Sequence, residues 1–257
     1  MGGRMMFIVN QPWVLFFVTV IVIWAAGRGG VEICTRWMPF PESSRTDFGI
    51  VLGAILTLLG LIIGFTFSMA TTRYDLRKNL EEEEANAIGT EYVRVDFLAA
   101  EDAARLRELL RRYTELRVEF YGAHYGEGLA RINDETKKLE DQLWTTVAQA
   151  AKVQPTPLAA LASAGMNDVL NSQGYTQAAW WNRIPSSAWF LLFLIAIMAN
   201  ALVGYGATGR WALLSVVLPL AIAISFFLIA DIDTPRGGII HVRAVNLEVL
   251  NRSLNGH

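Results

Sequence analysis

The chain has 257 residues, of which 53% are hydrophobic and 18% are charged. This composition is too apolar for an ordinary soluble domain, and with a formal net charge of −2 the chain has no global basic field for nucleic acid. The single cysteine, Cys34, excludes an intrachain disulfide framework and a cysteine-based zinc site. The charged residues concentrate between Arg73 and Arg183, and both flanks are apolar. This distribution predicts an all-α membrane protein that carries a soluble helical insert.

The first apolar run extends from Trp13 to Ala26. A basic start, an apolar middle and small residues at the end also fit a cleaved signal peptide. Trp24 is unfavourable in a cleavage region, so we favour a retained first transmembrane helix. We expect a loop from Gly29 to Asp47, because this stretch contains prolines, serines and charges of both signs.

The second apolar run, from Phe48 to Thr72, is almost uncharged and long enough to cross a bilayer as a helix. Small and hydroxyl side chains recur along it at steps of three or four residues, which places them on one helical face. These residues are Gly53, Thr57, Gly60, Gly64 and Ser68. A stripe of this kind lets a neighbouring backbone pack closely, or it lines a narrow water path. The residues alone leave both interpretations open.

No proline occurs between Pro41 and Pro155, so we expect the second helix to continue beyond the membrane to about Leu98. Basic residues mark its exit, and the acidic run from Glu81 to Glu84 follows. That run is interpreted either as a solvated turn paired with the basic residues or, around an oligomer axis, as an acidic ring that attracts cations. The sign of a permeant ion stays open. The candidate residues of a cytosolic pore mouth are Arg73, Arg77, Glu81 and Glu84.

The charged middle of the chain is predicted to be entirely helical. Apolar residues follow helical spacing from Leu106 to Phe120 and again between Leu129 and Val153. Pro155 and Pro157 interrupt the second of these helices. A third helix begins near Leu158 and reaches the aromatic pair that precedes Asn182.

Two further apolar runs, Ala188 to Thr208 and Trp211 to Ala230, are separated by only two residues and predict a tight hairpin. Four spans place both termini and the insert on one side, and the positive-inside rule makes that side cytoplasmic. The predicted segments are residues 1–74 with transmembrane helices 1 and 2, 75–184 as a cytosolic helical domain, 185–231 with transmembrane helices 3 and 4, and 232–257 as a cytosolic tail.

The sequence contains no phosphate-loop, zinc-protease or nucleophile-elbow motif, and its three histidines are isolated. We therefore predict no enzyme activity, no catalytic residue, no cofactor and no metal site. Asp231 and Asp233 could supply oxygen ligands to calcium. Two acidic residues beside a proline turn are more often a helix cap and an interfacial stop, and we favour that interpretation.

Two stretches resemble a known family. The first stretch contains the run LLGLIIGFTFS, then Arg73, and then EEEEANAIGTEY. The second stretch is ADIDTPRGGI, at the start of the tail. The chain is similar to bacterial bestrophin-like domain proteins, and the Gly64-Phe65 pair with a later arginine resembles the second transmembrane helix of bestrophins. The order of spans, helical insert, paired spans and Pro/Gly turn matches as well.

The resemblance implies a pentameric ion channel whose second helix lines the pore. The apolar neck of bestrophins corresponds to Thr57, Leu61 and Phe65, which share a face next to the small-residue stripe. An apolar ring of this type can gate by dewetting. Thr57 departs from the family pattern because it carries a hydroxyl group. The acidic cluster of the family's calcium clasp is also missing after the Pro/Gly turn, which argues against calcium gating.

The leading hypothesis is therefore a homo-oligomeric ion channel of the bacterial inner membrane, with cytoplasmic termini and insert. Gly53, Gly60, Gly64 and Ser68 are its helix-packing residues. The expected partners are the lipid bilayer, further copies of the chain and inorganic ions, without nucleic acid. The alternative is a non-conducting, membrane-anchored helical scaffold or signalling protein. A transporter is less favoured, because the sequence shows no inverted repeat.

Overall fold

The computed structural model describes residues 11–39, 43, 45–207 and 211–256, and for residues 211–214 it describes only the backbone. Within these residues all regular structure is helical, which confirms the all-α prediction. The α-helices are α1 (Pro12–Arg36), α2 (Arg45–Arg94), α3 (Ala100–Gly122), α4 (Glu127–Val153), α5 (Pro157–Trp181), α6 (Ser186–Tyr205), α7 (Trp211–Asp233) and α8 (Val245–Asn255).

Helix α2 is a single helix of 50 residues, followed by one 3-10 turn, Val95–Phe97. The predicted continuation to about Leu98 is therefore confirmed. The three helices of the charged middle also begin and end close to the predicted positions. At the start of α5, Thr156 accepts a hydrogen bond from the Ala159 amide at 3.1 Å, and Pro157 occupies the first helical turn.

The loop expected from Gly29 to Asp47 is shorter than predicted, because α1 continues to Arg36. Its glycines do not end the helix, since no proline occurs between Gly29 and Pro39 and Gly30 packs directly against α6. Residues 40–42 and 44 lie outside the described chain, as do Gly209 and Arg210 of the predicted hairpin.

The chain divides into two compact units. The first contains Met1–Thr72 and Arg183–His241, and the second contains Arg73–Asn182 and Val242–His257. The division lies inside α2 and also separates the tail, of which only the part from Val242 belongs to the second unit. The predicted tail segment, residues 232–257, thus contributes to both units.

In the first unit, α1 packs against α6 and α7. Aromatic rings contribute: the ring centroids of Trp13 in α1 and Phe227 in α7 lie 4.7 Å apart, and α6 contacts α7 through Phe193 and Phe226, whose ring centroids lie 5.1 Å apart. Four helical stretches of the described chain each contain an 18-residue window that is apolar enough to cross a membrane. The stretches are Pro12–Arg36, Arg45–Phe97, Pro157–Tyr205 and Ser215–Asp233.

The second unit has one hydrophobic core, formed by residues of α2, α3, α4, α5 and α8. Tyr113 and Phe120 are among its largest fully buried side chains. Burial of one large apolar side chain is worth about 1.5–3 kcal/mol, so this core is the main source of the unit's stability. Helix α8 has only 11 residues, too few for a stable isolated helix, and its buried Leu247 and Leu254 hold it in place.

Candidate pore-lining helix and its buried charges

The first half of α2, which contains a candidate membrane span, is barely covered by the rest of its own chain. Only 6% of its most apolar window is buried, compared with 28% for α1 and 50% for the apolar part of α7. An apolar helix of this length needs a non-aqueous or protein surface around most of its circumference. The chain itself does not supply that surface, so lipid or another protein molecule has to.

The candidate neck residues lie on the uncovered face of this helix. Leu61 is 53% exposed and Phe65 is 65% exposed, and Thr57 is exposed as well. The opposite side of the same segment carries the buried Leu59 and Thr66. Residues four apart lie about one turn, or roughly 6 Å, along a helix. The three neck residues therefore form a continuous line that is available to water, lipid or a second molecule.

The small-residue stripe is also uncovered. A Cβ atom added at Gly53, Gly60 or Gly64 would meet no described atom within 4 Å outside its own helix, and Ser68 is exposed. The stripe therefore does not pack within the described chain. Contact with another molecule and the lining of a water path both remain compatible with this geometry.

Close packing through small residues occurs elsewhere in the first unit, between α1 and α6. A Cβ atom added at Gly30 would overlap the backbone carbonyl of Ala201, and one added at Gly204 would overlap the carbonyl of Gly27. This contact was not predicted, because the stretch that begins at Gly29 was interpreted as a loop. The three-residue step between Gly27 and Gly30 was the available signal.

Arg77 and Glu81, two candidate mouth residues, are buried inside the second unit. Arg77 donates from Nε to the Ala179 carbonyl at 3.2 Å and from Nη2 to the Asn182 carbonyl at 3.1 Å, so it caps the C-terminal end of α5. Glu81 accepts hydrogen bonds from the Leu247 amide at 2.9 Å and from Asn246 Nδ2 at 2.7 Å. Its carboxylate thus caps the N-terminal end of α8.

Glu84 belongs to a buried polar cluster. Its carboxylate forms an ion pair with Arg117, and both side chains have no exposed surface. It also accepts hydrogen bonds from Thr176 Oγ1 at 3.1 Å and from Tyr121 Oη at 3.3 Å. The Arg117 guanidinium lies 4.3 Å from the centre of the Phe120 ring. The cluster joins α2, α3 and α5 with charge-assisted contacts.

The protonation of this cluster follows from its surroundings. Burial raises the pKa of the Tyr121 hydroxyl, and the Glu84 carboxylate raises it further. Burial alone would lower the pKa of Arg117, but the adjacent Glu84 carboxylate raises it above its usual value. Arg117 therefore remains a cation that compensates the buried carboxylate.

These contacts change the interpretation of the acidic run. Arg77, Glu81 and Glu84 have partners inside their own chain and no surface for an aqueous mouth, so we remove them from the candidate pore mouth. Only Glu82 and Glu83 of the run are exposed. Arg73, the remaining candidate, is partly buried and has interactions of its own.

Asp231 and Asp233 hold the turn that follows α7. Asp231 accepts hydrogen bonds from the amides of Ile239 and Ile240, each at 2.8 Å. Gly238 in the same turn has a φ of +112°, and a Cβ atom added there would overlap the Asp231 carboxylate. Asp233 accepts hydrogen bonds from the Ile184 amide at 3.1 Å and from Arg183 Nε at 3.2 Å. These contacts give both carboxylates a structural role, but not as helix caps, because Ile239 and Ile240 lie in the turn and Ile184 precedes the start of α6. The described residues contain no cluster of three or more potential metal ligands.

Comparison with known proteins identifies the family and the fold. The profile of the bestrophin-like domain matches residues 21–247. A bacterial bestrophin homolog from Klebsiella pneumoniae superposes with a TM-score of 0.64 at 13% identity, covering 94% of this chain and 96% of that one. A single-residue variant of that homolog gives 0.63 at 14% identity, covering 94% and 97%.

A structure described only as a variant of a membrane protein gives a TM-score of 0.65 at 14% identity, with 95% of this chain and 97% of that chain covered. A comparison with curated proteins finds no match. The sequence identities are low, so the structural similarity establishes the fold alone. Because the domain profile covers most of the chain, this membrane protein belongs to the bestrophin-like family.

Proposed function

We propose that the chain is the subunit of a homo-oligomeric ion channel in which the membrane half of α2 lines the pore. The observation that carries this proposal is the uncovered face of α2. The most apolar stretch of this helix is almost entirely unburied in a single chain, although the other candidate spans are covered to a larger extent. Membership of the bestrophin-like family supports the proposal, since the bestrophin resemblance implies a channel built around the second helix.

In this proposal Thr57, Leu61 and Phe65 form the neck of the pore. Leu61 and Phe65 present large apolar surfaces, and a ring of such side chains restricts ions by excluding water. Thr57 adds a hydroxyl group one turn from Leu61 and makes that end of the neck easier to hydrate. The stripe with Gly60 and Gly64 lies beside the neck and packs against a neighbouring copy in the assembled channel.

The proposed location is the bacterial inner membrane, with the termini and the second unit in the cytoplasm and five copies in the assembly. The excess of arginine and lysine on the side of the termini and the helical insert supports this orientation. The pentamer follows from the bestrophin resemblance. Native mass spectrometry of the detergent-solubilised chain tests the subunit number directly.

Ion flux through purified protein in liposomes tests the channel. Replacement of the neck side chains, Phe65→Ala or Leu61→Ala, should increase flux several-fold, because a wider and less apolar neck is hydrated more easily. Phe67→Ala is the matched control. Phe67 is also exposed, but it lies about 200° around the helix from Phe65 and therefore away from the neck.

Two results would contradict the proposal. One is a closed oligomer that carries no flux with any of these variants, which would favour the non-conducting scaffold. The other is a monomer or dimer in mild detergent, since a pore on a central axis requires a closed ring. Equal effects of Phe65→Ala and Phe67→Ala would show that flux does not depend on the neck face.

A further inference from the structure

Glu91 is the one acidic side chain of the described part of α2 that is buried without a hydrogen-bonding partner. It has no exposed surface, and neither carboxyl oxygen accepts a hydrogen bond from any described residue. Glu81 and Glu84 lie on the same buried face and have their oxygens satisfied. A buried carboxylate without partners is strongly unfavourable, and such a group gains a proton more readily than it stays charged.

The surroundings of Glu91 are shaped to hold its side chain. A Cβ atom added at Gly165 of α5 would overlap Glu91 Oε2, and it would lie 2.7 Å from Arg94 Nη1. Glycine is unfavourable in the middle of a helix, so its presence here fits a position where the carboxyl group needs room. Glu91 is thus enclosed between α2 and α5 rather than directed to solvent.

Two charged groups act on Glu91 from the elements around it. Arg94, on α2, favours the ionised carboxylate, and Asp168, on α5 one turn beyond Gly165, opposes it. Burial is the largest effect and, together with Asp168, raises the pKa of Glu91 from 4.5 to about 8 despite Arg94. Asp168 is exposed, so its charge can be removed without disturbing the core.

We propose that Glu91 is a proton-binding site of the second unit, occupied by a proton at neutral pH, and that release of this proton weakens the packing of α2 against α5. All of the residues involved belong to the second unit. The inference therefore does not depend on the channel proposed above. It assigns to the chain a titratable group whose charge changes close to physiological pH.

The direction of the effect on stability follows from the two protonation states. The folded chain retains the proton of Glu91 up to about pH 8, whereas the unfolded chain loses it near pH 4.5. Between these values the folded state binds more protons, so the free energy of unfolding decreases as pH rises. The stabilisation is complete below pH 4.5 and is lost by about pH 8.

Infrared spectroscopy of the full chain in detergent measures the protonation directly. We expect a protonated-carboxyl band at neutral pH that disappears with a midpoint near pH 8. The component of the band that titrates near pH 8 should be missing in Glu91→Gln and retained in the exposed control Glu83→Gln. Since Glu140 also has a raised pKa because of burial, the difference between wild type and Glu91→Gln isolates the signal of Glu91.

Asp168→Asn provides a second test with a defined sign. Removal of this anion should shift the midpoint to lower pH, because Asp168 disfavours the ionised form of Glu91. Thermal unfolding should show the same linkage: the melting temperature of wild type should fall relative to Glu91→Gln between pH 4.5 and 8.

A difference spectrum without a protonated carboxyl at neutral pH would overturn the proposal, since Glu91 would then be ionised beside Arg94. If Glu91→Gln does not fold, the proposal is tested by comparing the midpoints of the carboxyl titration in wild type and in Asp168→Asn. A midpoint that shifts to lower pH supports the proton site, and an unchanged midpoint overturns it.

Discussion

The two halves of α2 differ in how much of their surface the chain covers and in the residues that they bury. In residues 45–72 the exposed face carries large apolar and small residues, and almost none of the most apolar window is covered by the chain. In residues 73–94 the buried face carries charged residues, among them Arg77, Glu81 and Glu84. Each of these three is satisfied by a helix end or an ion pair within the second unit.

This difference shows which contacts a single chain provides for itself. Buried charges require specific partners, because an unpaired charge in a core is strongly destabilising. The second unit supplies those partners from α3, α5 and α8. Apolar and glycine surfaces require only the absence of water, which lipid or a second copy can provide. The first half of α2 can therefore remain uncovered until the chain reaches a membrane or assembles.

The largest expected effect concerns the buried ion pair. Arg117→Met leaves Glu84 buried without its cation, and loss of one partner of such a pair costs about 3–5 kcal/mol. Hydrogen–deuterium exchange should show reduced protection of α3 and of residues 73–94. Arg105→Met, an exposed arginine on the same helix, is the control and should change stability by no more than about 0.5 kcal/mol.

The double variant Glu84→Met with Arg117→Met should recover part of this loss, because no uncompensated charge remains in the core. Equal protection in Arg117→Met and Arg105→Met would contradict the contrast between the two halves of α2. It would mean that the stability of the second unit does not depend on the pairing of its buried charges.

A smaller effect is expected where helices of the first unit touch through glycine. In Gly30→Ala the new methyl group overlaps the Ala201 carbonyl, and such overpacking typically costs about 1–3 kcal/mol. Gly29→Ala is the matched control, since a Cβ at Gly29 meets no described atom within 4 Å. Detergent-induced unfolding of the two variants measures the difference. Equal stabilities would show that α1 and α6 approach less closely than described.

The smallest effect on the chain itself is expected at the α2 stripe. Gly60→Leu and Gly64→Leu add side chains where the chain has no neighbouring atoms, so its own unfolding free energy should change by no more than about 1 kcal/mol. The oligomer should nevertheless be lost or reduced in native mass spectrometry if the stripe packs against a second copy. An unchanged mass with altered ion flux would instead assign the stripe to the water path.

Much of the architecture was predictable because it depends on local patterns. The long α2, the three helices of the charged middle and the proline breaks follow from helical spacing and from the positions of proline. The end of α1 was predicted wrongly because the prolines, serines and mixed charges between Gly29 and Asp47 were interpreted as a loop that begins at Gly29. In this structure Gly27 and Gly30 are retained in a helix by close contact with α6.

The candidate site could be predicted from the sequence only in part. The shared face of Thr57, Leu61 and Phe65 follows from a period of 3.6 residues, and the structure places all three on the uncovered side of α2. The acidic run was different. Four consecutive glutamates look equivalent in sequence, but Glu81 and Glu84 are three residues apart and so point into the bundle, whereas Glu82 and Glu83 point out.

The amino-acid sequence by itself determined the helical class, the apolar spans and the face on which the candidate neck lies, because hydropathy and helical period act over short distances along the chain. Only the tertiary structure decided which charges are functional candidates and which are structural. The partners of Glu81, Glu84 and Arg77 come from residues about 33 to 166 positions away in sequence. Those pairings arise from the packing of helices, and no local pattern encodes them.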